Sequence, residues 1–306
     1  MNWIMSIDTI IFGPEFNEEL DIKLISGFLK LIFSDYELNE KLFEYYDNDK
    51  LFNGLRHVTS EFNKNVSALP HTLTHLTFGH RFNQDVSKLP YMLTHLTFGY
   101  CFNQDVFELP STLTHLTFGS SFNQNISILP PNLTHLTFGD YFDKDVSALL
   151  PLSLTHLTFG SSFNQDISKL PCGITHLTLG KYFNLECNIP SNIKYLKLNC
   201  NNPYIIDFLP NSIVELELDH YFNLEMNNLP TSIKKIVIKV YDYDKDLNCL
   251  PDFIEELHLN FYYSKRILNI PNSLKKLKCW KIYPYINDFK MLGIEVEIYF
   301  ESEIFN

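Results

Sequence analysis

Paired cysteine spacings are missing from this chain. Its six cysteines, at positions 101, 172, 187, 200, 249 and 279, form no CxxC, so they read as reduced thiols of an intracellular, cytoplasmic protein. Long apolar runs are missing too. None approaches the ~18–20 residues that span a bilayer, and Met1 to Phe12 contains Asp8 without a basic start or a small-residue cleavage site, so no membrane contact and no secretory signal are expected. Basic charge is scarce: 24 Lys and Arg face 36 Asp and Glu, a net charge of -12, which argues against a nucleic-acid partner. The acidic excess is greatest at the start, about -6 over residues 1–69 against about -3 each over 70–190 and 191–306. There is no phosphate loop, nucleophile elbow, HExxH or paired-carboxylate constellation, so neither enzyme activity nor a cofactor is expected. What is present is a folding composition, 45% apolar and 20% charged over 306 residues, which excludes disorder throughout and suits either one or two compact domains or an elongated repeat.

Proline decides between these. Only fifteen occur, and eleven stand at 70, 90, 110, 130, 151, 171, 190, 210, 230, 251 and 271, each after Leu or Ile. A fixed period of about 20 is the signature of a solenoid. The clearest unit, PHTLTHLTFGHRFNQDVSKL from Pro70, keeps apolar residues at three, six and eight steps after proline, here Leu73, Leu76 and Phe78. That L-x-x-L-x-L spacing is the strand of a leucine-rich repeat, alternate residues pointing inward. Gly79 and its equivalents at 99, 119, 139, 160 and 180 follow directly and are expected to leave the strand with φ > 0. Phe82, Val86 and Leu89 complete about six inward side chains per coil. The second half of each unit is too short for a helix, so turns and extended backbone are expected there, with one parallel sheet on the other side.

The string L-T-H-L-T-F-G-x-x-F-N-Q resembles the FNIP repeat, a short leucine-rich-repeat relative abundant in slime moulds and in giant viruses of amoebae. F-N after the strand and L-P before the next one recur together at 62–69, 82–89, 102–109, 122–129, 163–170 and 222–229. The resemblance implies an interaction module without catalytic activity, often joined in viral members to an N-terminal F-box that recruits a ubiquitin ligase. That F-box is not expected here. Ile7 to Leu20 already superposes on the repeat through Ile10, Phe12, Gly13, Phe16 and Asn17; Phe28 to Leu42 and Leu55 to Leu69 read as looser copies, and the one helical stretch, 37–50, is too short and acidic. The expected organisation is irregular repeats and a cap over 1–69, regular repeats over 70–190, and divergent repeats with a capping strand, Ile294 to Phe300, over 191–306. Thirteen to fourteen coils, three irregular ones first, would stack over roughly 60 Å.

Two sets of residues are candidates for function. Flanking the central leucine outward are His75, His95, His115, His135, His156 and His176, a file that His57 would start, with Thr77, Thr97, Thr117, Thr137, Thr158 and Thr178 beside them. Such a file is either the by-product of repeat amplification, with rings stacked ~4.8 Å apart, a partner-recognition face, or a metal site, the last disfavoured because no carboxylate or thiol recurs alongside. Crowded rings should resist successive protonation. Asn17, Asn63, Asn83, Asn103, Asn123, Asn164, Asn184 and Asn223, interrupted once by Asp143, suit a structural ladder of buried amides. Farther on the histidine file becomes Tyr195, Glu215, Lys235, Glu256 and Lys276 beside Lys197, Glu217, Val237, His258 and Lys278, either cross-strand ion pairs or a solvated charged face.

Three N-x-S/T sequons are by-products of the repeat. A monomeric scaffold for an unknown protein partner, an adaptor in a ubiquitin-related or host-interaction pathway, is the first functional expectation, and a structural or virion-assembly protein the second.

Overall fold

A computed structural model describes residues 3–6, 8–18, 20, 25, 27–35, 61–67 and 69–299. It divides into two compact units, Met1–Gly160 and Ser161–Asn306. The fold is a β-solenoid of leucine-rich-repeat type.

In the first unit the strands are β1 (Trp3–Met5), β2 (Thr9–Phe12), β3 (Lys30–Phe33), β4 (His75–Thr77), β5 (His95–Thr97), β6 (His115–Thr117), β7 (His135–Thr137) and β8 (His156–Thr158). From β2 onward each pairs in parallel with the next and in strict register, Leu76 beside Leu96, Leu116, Leu136 and Leu157. Among the described residues only β1 runs antiparallel, Trp3 opposite Phe12, because a turn of a few residues returns the chain where a parallel neighbour would need a whole coil.

Two turns close each regular coil. The amide of Leu73 donates to the Pro70 carbonyl at 3.2 Å, and that of Phe82 to the Gly79 carbonyl at 3.3 Å. Proline is tolerated because its turn uses its carbonyl and not the N–H it lacks. Between the turns, Phe78 stacks on Phe82 at 3.6 Å within one coil and on Phe98 at 5.7 Å in the next. Leucine and phenylalanine thus form continuous buried columns, each fully buried side chain contributing about 1.5–3 kcal/mol.

The glycines work differently from the expectation. Among the described glycines φ is positive only at Gly293, 76°. What Gly119 supplies is room: an added Cβ would lie 1.8 Å from the Gly99 carbonyl oxygen. Identical turns stacked at the strand spacing bring backbone against backbone there, and only a residue without a side chain fits.

The first coils also depart from the expected count. β3 pairs directly with β4, Lys30 beside His75, and Phe33 stacks on Phe62 at 3.8 Å. The strand of the first looser copy and Phe62 of the second therefore share one coil, so among the described residues two irregular coils precede the regular ones instead of three. The rung before His75 carries Lys30; His57 and the stretch 37–50 lie outside the described residues.

In the second unit the strands are β9 (His176–Leu179), β10 (Tyr195–Leu198), β11 (Glu215–Leu218), β12 (Lys235–Ile238), β13 (Glu256–His258), β14 (Lys276–Cys279) and β15 (Glu295–Ile298), all parallel. Two short helices stand on the side expected to be helix-poor, α1 (Pro203–Asp207) and α2 (Ile286–Met291). α1 has a local cause. Asn202 caps it by accepting the Ile205 amide at 3.4 Å, Pro203 takes the first helical position, and Ile205 and Ile206 fill the core in place of the usual phenylalanine. The strand expected over Ile294 to Phe300 is β15, with Phe300 outside the described residues.

Candidate functional site

Alternation on each three-residue strand buries the central leucine and turns its two neighbours to the opposite face. His75, His95, His115, His135 and His156 of the first unit, with Thr77, Thr97, Thr117, Thr137 and Thr158, are all half-buried on that face. The open face begins at β4, since Thr9, Ile11 and Ile32 at outward positions of β2 and β3 are buried. Successive rings from His75 to His156 lie face to face, centroids 4.1–4.2 Å apart and planes within 13° of parallel. They sit closer than the ~4.8 Å between strands because flat rings lean along the file into contact. In the second unit His176 and Thr178 continue the pattern, and His176 stacks on Tyr195 at 4.1 Å.

A residue not singled out from the sequence fixes each ring. The threonine before every histidine sets its hydroxyl 2.8–2.9 Å from Nδ1, in the pairs Thr74–His75, Thr94–His95, Thr114–His115, Thr134–His135, Thr155–His156 and Thr175–His176. The signal was visible, the invariant T in L-T-H-L, but its side chain has no role until the strand register is known. Burial, with His156 and His115 on either side, pushes the proton affinity of His135 down to a pKa of about 4. Burial lowers that of His156 as well.

Asparagines form a second file on the rim. The Asn63 amide donates to Asn17 Oδ1 at 3.2 Å, Asn83 to Asn63 at 2.9 Å, Asn103 to Asn83 at 2.9 Å, Asn123 to Asn103 at 2.9 Å, and the Asp143 amide to Asn123 at 3.2 Å. In the second unit Asn184 donates to Asn164 at 3.0 Å, whereas Asn223 reaches Asn201 at 2.6 Å. These side chains are half-buried or exposed, not buried as expected, because the turn that carries them stands at the solvent edge of the coil. On the same rim of the second unit Lys181 lies 3.9 Å from the ring centre of the exposed Tyr221 and 5.0 Å from that of Tyr182.

The outward face of the second unit is a lattice of ion pairs. Lys197 bridges Glu217 at 2.8 Å and Asp219 at 2.6 Å, Lys235 meets Glu215 at 3.2 Å, and His258 meets Glu256 at 2.7 Å. Burial pushes the Asp219 carboxyl up, but Lys197 and the His220 amide outweigh it and hold the group below its ordinary range. Lys276 and Lys278 hold Glu297 down to about 2. The acidic residues of the last strand are thus partners of β14, more than a bare repulsive edge.

Among the described residues no group of three or more His, Cys, Asp or Glu could hold a metal ion. All six cysteines are free thiols. Among the described residues no helix is long and apolar enough to cross a membrane.

Comparison with known proteins follows the same lines. The FNIP Repeat model matches residues 62–101, 82–121, 102–141, 122–162, 146–181 and 185–221, just over half of the chain. Among solved structures, CroV588 of the giant virus CroV, described as a circular LRR protein, is similar at 31% identity with a TM-score of 0.65 over 91% of this chain. The match takes in 48% of CroV588, so this chain spans about half that protein's length. Internalin InlF from Listeria monocytogenes is similar at 15% identity and a TM-score of 0.47, over 80% of this chain and 82% of its own. YopM from Yersinia enterocolitica reaches 17% and 0.34, over 75% and 73%. No curated protein sequence matches.

Proposed function

The chain belongs to the FNIP repeat family, and from that premise we propose that it is a non-catalytic scaffold that holds a protein partner across the outward face of its sheet, through His75, Thr77 and their equivalents. The observation that carries this reading is the chemical uniformity of that face. Five coils of the first unit present the same imidazole and hydroxyl in the same register, half-exposed, on the face opposite the buried leucine and phenylalanine columns. A flat, rigid, neutral surface with aromatic edges and hydroxyls loses little side-chain entropy on binding, which suits protein recognition. In its narrowest form the proposal is a ubiquitin-linked adaptor in a host pathway, and the similarity to a giant-virus protein supports a viral setting for it.

Affinity purification of the full chain from an amoebal host tests this. A stoichiometric partner is expected with the natural chain and its loss with the triple variant Thr97→Arg, Thr117→Arg, Thr137→Arg, which changes only the face. Equal recovery by both chains, or recovery only within assembled particles, would replace this reading.

A further inference from the structure

We propose that the two residues between glycine and phenylalanine in each regular coil of the first unit form a second contact surface, along one edge of the sheet, which selects the protein partner and fixes its register. This deepens the scaffold reading above and rests on it.

The first ground is what the histidine face lacks. His75, His95, His115 and His135 stand in successive rungs with the same threonine beside each, so a partner displaced by one coil meets the groups it left. Specificity is a difference between affinities, and a face that repeats itself supplies none between one register and the next. Something that differs from rung to rung has to lie beside it.

The second ground is where the coils differ. Residues 73–79, 93–99, 113–119 and 133–139 all read Leu-Thr-His-Leu-Thr-Phe-Gly, and phenylalanine returns at 82, 102, 122 and 142. Between these constants the pair is His-Arg at 80–81, Tyr-Cys at 100–101, Ser-Ser at 120–121 and Asp-Tyr at 140–141. The serine pair shows that the turn itself asks for no bulk, so the larger side chains serve something outside the frame. Exposed positions left to drift commonly take Lys or Glu, and these pairs hold neither. Tyrosine, serine and arginine are the residues of protein-binding loops. The opposite edge differs too, at His71, Tyr91, Ser111 and Pro131, but with one such position per coil. The next residue there is committed to the frame, as when the Thr112 hydroxyl meets the Tyr91 and Leu93 carbonyls at 2.7 Å.

The third ground is rigidity. The amides of Cys101, Ser121 and Tyr141 donate to the His80, Tyr100 and Ser120 carbonyls at 2.8–2.9 Å, which pins the backbone of each pair to the coil before it. The side chains then support one another. His80 stacks on Tyr100 with centroids 4.9 Å apart and planes within 4°, the hydroxyls of Tyr100 and Tyr141 lie 3.4 Å apart, and the Ser120 hydroxyl donates to Asp140 at 2.9 Å. Tyr100 is still 42% exposed and Tyr141 53%. Aromatic rings placed before a partner arrives lose little entropy when it does. At one end His80, Arg81 and Cys101 border a cavity of about 620 Å³, room for the tip of a loop. Its wall is polar, with Arg81 meeting Glu61 at 3.1 Å. The occupant that fits is a folded protein with a protruding polar loop.

The test adds a third chain to the affinity purification, carrying His80→Ser, Arg81→Ser, Tyr100→Ser, Cys101→Ser, Asp140→Ser and Tyr141→Ser, the pair that the frame already accepts at 120–121. Its melting should match that of the natural chain. The partner identified with the natural chain, once purified, should bind the serine chain about tenfold or more weakly. Equal affinity for both overturns the proposal, and the scaffold reading survives that result if the threonine-to-arginine variant of the face still loses the partner. A natural chain that recovers no partner removes the scaffold reading and this surface with it. Binding that vanishes when the partner is stripped of its glycans would assign the edge to a sugar and overturn the protein reading. Should six substitutions unfold the chain, Tyr100→Ser with Tyr141→Ser decides by the same comparison of affinities.

Discussion

A methyl group on Gly119 has nowhere to go, since the Gly99 carbonyl oxygen lies 1.8 Å from where its carbon would stand. The obstacle is backbone, which cannot rotate aside as a side chain can. Gly119→Ala is expected to cost at least the ~1–3 kcal/mol of an overpacked site, measured as a lower denaturant midpoint, whereas Gly27→Ala, where the new carbon meets nothing within 4 Å, should be near neutral. Asn103→Ala is milder. It removes the acceptor of the Asn123 amide on a rim that water reaches, so about 0.5–1.5 kcal/mol is expected, with partner recovery unchanged. Reading glycine as a turn residue was reasonable from sequence, because punctuation after a strand usually means φ > 0. Crowding between coils twenty residues apart is invisible until their register is known.

At the scale of strands and turns, apolar spacing and proline position mapped directly onto structure, since each is a local requirement: alternation sets the buried face and a carbonyl-only turn admits proline. What the repeat pattern concealed were the departures from it. The Asn-Pro pair at 202–203 is a helix-start signal that the 20-residue period overshadowed. The direct pairing of β3 with β4 depends on contacts between residues more than forty positions apart, which no local pattern encodes. The threonine hydroxyls beside the rings stayed hidden for a similar reason, because Thr74 and its equivalents look like generic strand residues. On the second unit's face, Lys197 and His220 both meet Asp219, a carboxylate only 7% exposed. Lys197→Met should leave that charge half-compensated and cost about 1–3 kcal/mol, with the loss shrinking as pH falls and Asp219 takes up a proton. Chemical denaturation at pH 7 and pH 4 would measure both.

For the whole molecule, titration separates two sources of stability. The folded His135 keeps its proton affinity well below the ordinary value of about 6.5. Above that pH both folded and unfolded chains leave it neutral and it contributes nothing. As pH falls toward about 4 the unfolded chain gains a proton that the folded one refuses, so stability declines across that window. His156, and His258 of the second unit, shift the same way. Carboxylates held low, Glu297 at about 2 among them, stabilise at neutral pH, and that contribution goes only as pH drops below their ordinary range. Thermal melting followed from pH 7.5 to 3 should therefore fall in two stages. His135→Gln is expected to flatten the upper stage and leave the lower one intact.

The in-register rungs have a consequence for how such a chain can change length. Remove residues 100–119 and Gly99 is joined to Ser120, yet in the core, on the rim and along the file the new neighbour is what the old one was: phenylalanine meets phenylalanine, asparagine meets asparagine, histidine meets histidine. A deletion of one residue would instead throw a whole strand onto its wrong face. The heritable unit of variation in this molecule is the coil, and unequal recombination between near-identical repeats can lengthen or shorten the outward face while keeping each remaining coil in register.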